Sequence, residues 1–135
     1  MLGEFFAARP DEIDDDVVAR GPFQRFEIVE AKTVSTVSIS TLGEILGAGS
    51  YDELYERVDA GPRIESYEAG IDVIPDDVRD RLADVDVDVI AERWWATDEM
   101  RDGDPADVRD VVEKLAALAR EARTTRRGLW FWWSL

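Results

Sequence analysis

The chain has no cysteine and no histidine among its 135 residues, and its only lysines are Lys32 and Lys114. Without cysteine there is no disulfide framework, thiolate nucleophile or zinc-finger site. Without histidine the commonest general base and the commonest transition-metal ligand are missing, so neither a metal nor a cofactor is expected. A Ser-His-Asp hydrolase is excluded, and no G-x-S-x-G occurs. Long apolar runs are lacking too: no window approaches the roughly 18 apolar residues of a membrane span. The stretch from Met1 to Pro10 has no basic n-region and does not read as a signal peptide, which makes the cytoplasm the expected location.

What is abundant is acid. Asp and Glu number 31 against 16 Lys and Arg, a formal net charge of −15. Abundant Asp and a preference for Arg over Lys suit the cytoplasm of a halophile, because at about 1 M salt the Debye length falls to about 3 Å and self-repulsion is suppressed. Nucleic acid is not an expected partner, since the cluster of Arg120, Arg123, Arg126 and Arg127 is too small a positive footprint. A basic protein would be attracted to such a surface. The hydrophobic fraction of 45% is that of a folded protein, and the length suits one domain spanning residues 1–135.

Leu2 to Ala8 reads as a first strand. Asp11 to Arg20 follows as a helix opened by Pro10 and stopped by Gly21-Pro22. Phe26 to Ile39 mixes β-formers with Ser and Thr and reads as one or two extended segments. Thr41 to Leu46 makes a short helix, and Ser50 with Glu53 offers a capping box for another over Tyr51 to Val58. A short strand is expected at Ile71 to Val73, a helix from Pro75 through Ala83, and a helical stripe from Val87 to Trp95. Asp104 and Pro105 open a long amphipathic helix with Val108, Val112, Leu115 and Ala119 at helical spacing, stopped by Gly128. The tail Leu129-Trp130-Phe131-Trp132-Trp133-Ser134-Leu135 begins at once.

That tail holds three of the five tryptophans. Alternation puts Trp130 and Trp132 on one face and Phe131 and Trp133 on the other. With both faces apolar, it fits the middle of a small sheet. The alternatives are an exposed patch in which Trp130, Trp132 and Trp133 form an interface, and a membrane contact that the acidic body disfavours.

Other constellations are weaker. Asp84 to Asp88 mimics a calcium loop, but Val89 falls where glycine is required and Trp95 where the bidentate Glu belongs. Gly43 to Ser50 lacks the lysine of a P-loop. Glu92, Trp94, Trp95, Asp98 and Glu99 place carboxylates near indoles and form a candidate pocket for a small molecule or a carboxylate-using enzyme.

Ser40 to Leu46, Ile74 to Val78, Trp95 to Glu99, the long Leu/Ala helix and Gly128 to Leu135 resemble small stand-alone bacterial and archaeal proteins of unknown function. The layout is similar to YfbM-like proteins, in which an N-terminal strand, several helices and a C-terminal strand make a compact α+β domain. The resemblance implies an immunity-like role for some such proteins, neutralising a toxin by binding it, and carries no site residues. The residues therefore predict a mainly helical α+β domain with both terminal strands in one small sheet. The function expected is non-enzymatic protein binding or regulation. If the acidity is salt adaptation, the unfolding midpoint rises steeply between low salt and roughly 2 M KCl; thermal or urea denaturation checks this, and an unchanged midpoint rejects it.

Overall fold

Five consecutive apolar residues, Leu129 to Trp133, leave an extended chain with no face suited to water, and the fold covers both faces. The computed structural model, which describes residues 2–135, places them in β4 (Gly128–Ser134). The strand lies inside a four-stranded sheet of order β2-β1-β4-β3. Its neighbours are β1 (Leu2–Ala8) and β3 (Ala69–Ile74), with the short β2 (Ile28–Glu30) beyond β1. Every pairing is antiparallel, Phe5 facing Phe131 and Asp72 facing Phe131 from the other side. The α+β architecture, with both terminal strands in the sheet, is the one the sequence predicts.

Alternation along β4 divides the core in two. Leu129 and Phe131 join Phe5, Ala7 and Ile74 on a face covered by helices, with Trp133 packed at its margin. Trp132 joins Phe6, Ala8 and Ile71 on the opposite face, where Val17 and Val18 of α1 (Asp15–Arg20) close over them and Trp130 packs alongside. Phe5 and Phe131 stack with ring centroids 4.6 Å apart. No side chain fits at two points beside these aromatics. A Cβ on Gly3 would lie 2.5 Å from the Phe131 ring, and one on Gly70 would lie 2.6 Å from the Trp133 ring.

The helical layer is α2 (Thr36–Ile45), α3 (Tyr51–Val58), α4 (Asp76–Ala83), α5 (Val87–Trp95) and α6 (Pro105–Thr124). Acids start many of these elements. Asp104 accepts the Ala106 N–H at 2.8 Å and Asp86 the Val89 N–H at 3.2 Å, satisfying amides that a helix leaves orphaned. Val112, Leu115, Ala116, Ala119 and Ala122 give α6 its fully buried face.

Four local expectations are corrected. The helix expected over Asp11 to Arg20 is a 3-10 turn at Pro10–Glu12, an extended Ile13 and then α1, because Asp14 accepts the Val17 N–H and starts a new helix. The extended region expected to Ile39 ends at Glu30. Ser35 caps α2 with Ser38 reciprocating, and burial of Ile39 and Leu42 overrides the β preference of Val37 and Ile39. The Ser50–Glu53 box is one-sided: Ser50 accepts the Glu53 N–H, while the Glu44 carboxylate takes the Tyr51 N–H at 2.9 Å. Gly128 does not stop α6. The left-handed residue is Arg126, φ 56°, and Arg127 N–H closes back on Ala122 O at 2.8 Å. With Arg126 N–H on Arg123 O, that is a Schellman turn made without glycine.

Two outcomes test the dependence on β4. Deleting Leu129 to Leu135 leaves the chain unfolded by circular dichroism, and Phe131→Ala lowers stability by about 3–5 kcal/mol in urea denaturation.

Candidate functional site

The residues of the expected pocket do not converge. Trp94 is fully buried in the helical core, its Nε1–H donating to Ser38 O at 3.0 Å. Trp95 is half-buried and donates to Gly103 O at 2.9 Å, closing the turn before α6. Glu92, Asp98 and Glu99 are exposed, and Asp98 pairs with Arg101 across 3.3 Å. None of the five lines either groove described below. A helix that ends at Trp95 sends Trp94 inward and the following acids outward, so nearness in sequence does not become a shared cavity.

The tail tryptophans are likewise engaged within the fold. Trp132 is buried and donates to Val18 O at 2.8 Å, joining the sheet to α1. Trp130 and Trp133 are half-buried and donate to Ala8 O and to an Asp72 carboxylate oxygen at 3.0 and 3.2 Å.

Asp72 is the polar group that sequence reasoning missed. It is fully buried on the helical side of β3 and accepts the Thr36 hydroxyl at 2.6 Å as well as the Trp133 indole. Burial pushes its carboxyl above the usual aspartate range, while the two hydrogen bonds and the Arg63 charge pull it down. Thr36 opens α2, so the carboxylate sits at that helix's positive end and clasps it to the sheet. The sequence signal was an acid flanked by Ile71 and Val73 in an expected strand, lost among 31 acids. With its oxygens occupied by internal donors, Asp72 is a fold-holding group.

The open concavity lies elsewhere. A groove of about 1000 Å³ runs between α6 and the segment from Glu27 to Val34, which includes β2. Apolar residues such as Val29, Val34, Val108 and Leu118 form its floor. Its rim carries six acids, Glu27, Glu30, Asp104, Asp107, Asp110 and Glu121, and both lysines of the chain. Lys114 is engaged by Asp110 at 2.9 Å, so the net field in the groove is negative. The stripe Asp107, Val111, Lys114, Leu118, Glu121 repeats at helical spacing along the flank of α6, beside its buried face. A shallower depression of about 570 Å³ lies over Ile45, Leu46, Arg81 and Val89. Among the described residues no group of three or more acids is arranged to hold a metal ion, and no helix is long and apolar enough to cross a membrane.

Comparison of the chain with known protein families, with curated proteins and with solved structures finds no match in any of the three. The layout likeness to YfbM-like proteins rests on the sequence features alone.

The clasp at Asp72 has a pH signature. A carboxyl raised in the folded state binds its proton more readily there than in the unfolded chain, so its contribution to stability is greatest below the unfolded pKa and is lost as pH rises through the folded one. Asp72→Asn removes that dependence. The stability difference between the native protein and the variant therefore shifts toward the native protein as pH falls from about 7 to about 4, the ordinary aspartate value. Urea denaturation of both across that range measures it; a constant difference rejects it.

Proposed function

We propose that the chain is a non-enzymatic protein-binding module of a halophile's cytoplasm, and that it takes a basic protein partner through the groove between β2 and α6. The observation that carries this reading is the pairing of an apolar floor with an acid-rich rim in one open concavity. An apolar floor supplies area to bury, and a charged rim selects the partner and fixes its register. The placement of the indoles supports the same reading in a negative way: the aromatic residues that suggested a pocket or an exposed patch are committed to internal hydrogen bonds. An immunity-like role is one form of this function, a small acidic protein neutralising a basic one by covering it.

Salt adaptation belongs to the proposal and shapes it. In concentrated KCl long-range attraction is screened within a few ångströms. The partner is therefore held by contact ion pairs and buried apolar area, not drawn in from a distance.

The test uses a short blocked peptide in which pairs of arginines alternate with pairs of valines, so that each face of an extended chain carries both, titrated by fluorescence anisotropy in low and high KCl. It binds the native protein. The triple variant Glu27→Gln, Asp107→Asn, Glu121→Gln binds it about tenfold more weakly, the equivalent of about 1.4 kcal/mol. A peptide of glutamate and valine does not bind. Failure of the arginine peptide to bind, or equal binding by the triple variant, overturns the groove as the site for a basic partner.

A further inference from the structure

The antiparallel ladder decides which backbone groups of β2 are free. Ala31 N–H donates to Gly3 O at 2.9 Å, and two residues along the register Val29 faces Phe5. Such hydrogen-bonded pairs recur at every second residue, so the N–H and C=O of Val29 turn inward to β1 while those of Ile28 and Glu30 turn outward. No hydrogen-bond partner meets these outward groups among the described residues.

The other edge of the sheet is covered from Ala69 to Ile71. Beyond β3, Ile71 N–H donates to Pro62 O at 2.8 Å and Ile64 N–H to Ala69 O at 3.1 Å, with Arg63 bridged to Gly70. The chain itself covers that stretch of β3, whereas the edge of β2 opens onto the groove along its whole length.

A second feature lies at that open edge. Glu4 and Glu30 face each other across β1 and β2 in a non-hydrogen-bonded pair, the arrangement that brings side chains closest. Neither takes part in an ion pair among the described residues. Burial and the Glu30 charge both push the Glu4 carboxyl up. The edge thus holds a like-charge pair that a cation arriving beside β2 would relieve.

Resting on the groove as the binding surface, we propose that the partner enters it as an extended basic segment that adds an antiparallel strand to β2. The N–H and C=O of Ile28 and Glu30 supply its backbone hydrogen bonds, the mode of β-strand addition. On one face of the added strand, a cation opposite Glu30 answers the Glu4–Glu30 pair, and an apolar side chain meets Ile28. On the other face, its side chains lie against Val111 and Ala117 of α6, with Asp107 and Glu121 placed for further cations. A second copy of this chain is a poor occupant, because antiparallel pairing through Ile28 and Glu30 sets each Glu30 opposite an Ile28 and brings the two Glu30 carboxylates together as diagonal neighbours on one face, with no cation between them. Acids and a strand of only three residues are also what keeps an open edge from indiscriminate pairing.

Two variants separate the backbone from the charge. Glu30→Gln removes the charge alone. Glu30→Pro also removes the outward N–H, at an edge position where proline is tolerated. With the arginine–valine peptide, Glu30→Pro binds about tenfold or more weakly than Glu30→Gln, and the Ile28 and Glu30 amides of the native protein gain hydrogen-exchange protection on binding. Should the proline variant not fold, the exchange result on the native protein decides by itself. Peptide binding without amide protection, or with equal affinity for both variants, overturns strand addition and leaves the groove reading standing. No binding at all overturns that reading too. Protection of the same amides on raising protein concentration without peptide assigns the edge to a second copy and overturns the proposal.

Discussion

The fold depends on burying a strand that is apolar on both faces. An extended segment such as Leu129 to Trp133 can be covered on two sides and paired on two edges only from inside a sheet, with a layer above and a layer below. β1 and β3 supply the edges, the helices one layer, and α1 with its flanking loops the other. The indoles then connect these parts. From one strand, three N–H groups reach the end of β1, the end of α1 and the Asp72 clasp on β3. Each indole buries a large apolar surface and satisfies its polar atom, so the strand ties its neighbours together while hiding itself.

The acids divide by what they do. Some cap helices or fill first turns, where the helix dipole favours negative charge, as Asp14, Asp86 and Asp104 do. Others meet arginines on the surface. The bidentate pairs Arg57–Asp77 and Arg123–Asp84 join α3 to α4 and the end of α6 to the end of α4, and the guanidinium holds each carboxyl below the usual range. The fork of arginine suits this better than the point charge of lysine. The acids on the groove rim belong to neither group apart from Asp104, which caps α6, Asp107 in its first turn, and Asp110, which holds Lys114.

Much of this was legible because the signals were local. Period-3.6 spacing and an Asp-Pro start fix α6, a serine cap fixes α3, and an uninterrupted apolar run fixes β4 as an inner strand. What was not legible depends on residues far apart in the chain. Val37 and Ile39 prefer strands by themselves and become helical because the core takes Ile39 and Leu42. Arg126 adopts a left-handed turn that sequence rules reserve for Gly128 two residues later, since the turn's position is set by where β4 must enter the sheet. Asp72 and Thr36 are 36 residues apart, and nothing in either neighbourhood announces the other. The groove is the extreme case. Its walls come from residues 27–34 and 100–121, and its essential property, an unpaired strand edge, is a fact about backbone direction that no side chain encodes.

Concentrated salt makes an open edge more demanding. Charge is one of the commonest guards of a free strand, yet screening confines its reach to contact distance. An edge flanked by Ile28 and Val29 is then guarded chiefly by its shortness and by the wall that α6 raises along one side of it. On the proposed reading, an incoming strand must fit beside α6 and satisfy the outward groups of Ile28 and Glu30. It must also bring cations into actual contact with the acids. In such a medium specificity comes from fit at contact range, and the proposed recognition uses interactions that survive there: backbone hydrogen bonds, apolar burial and close ion pairs. On the proposed reading, the acidity that suits concentrated salt also decides which strand can seat at the edge.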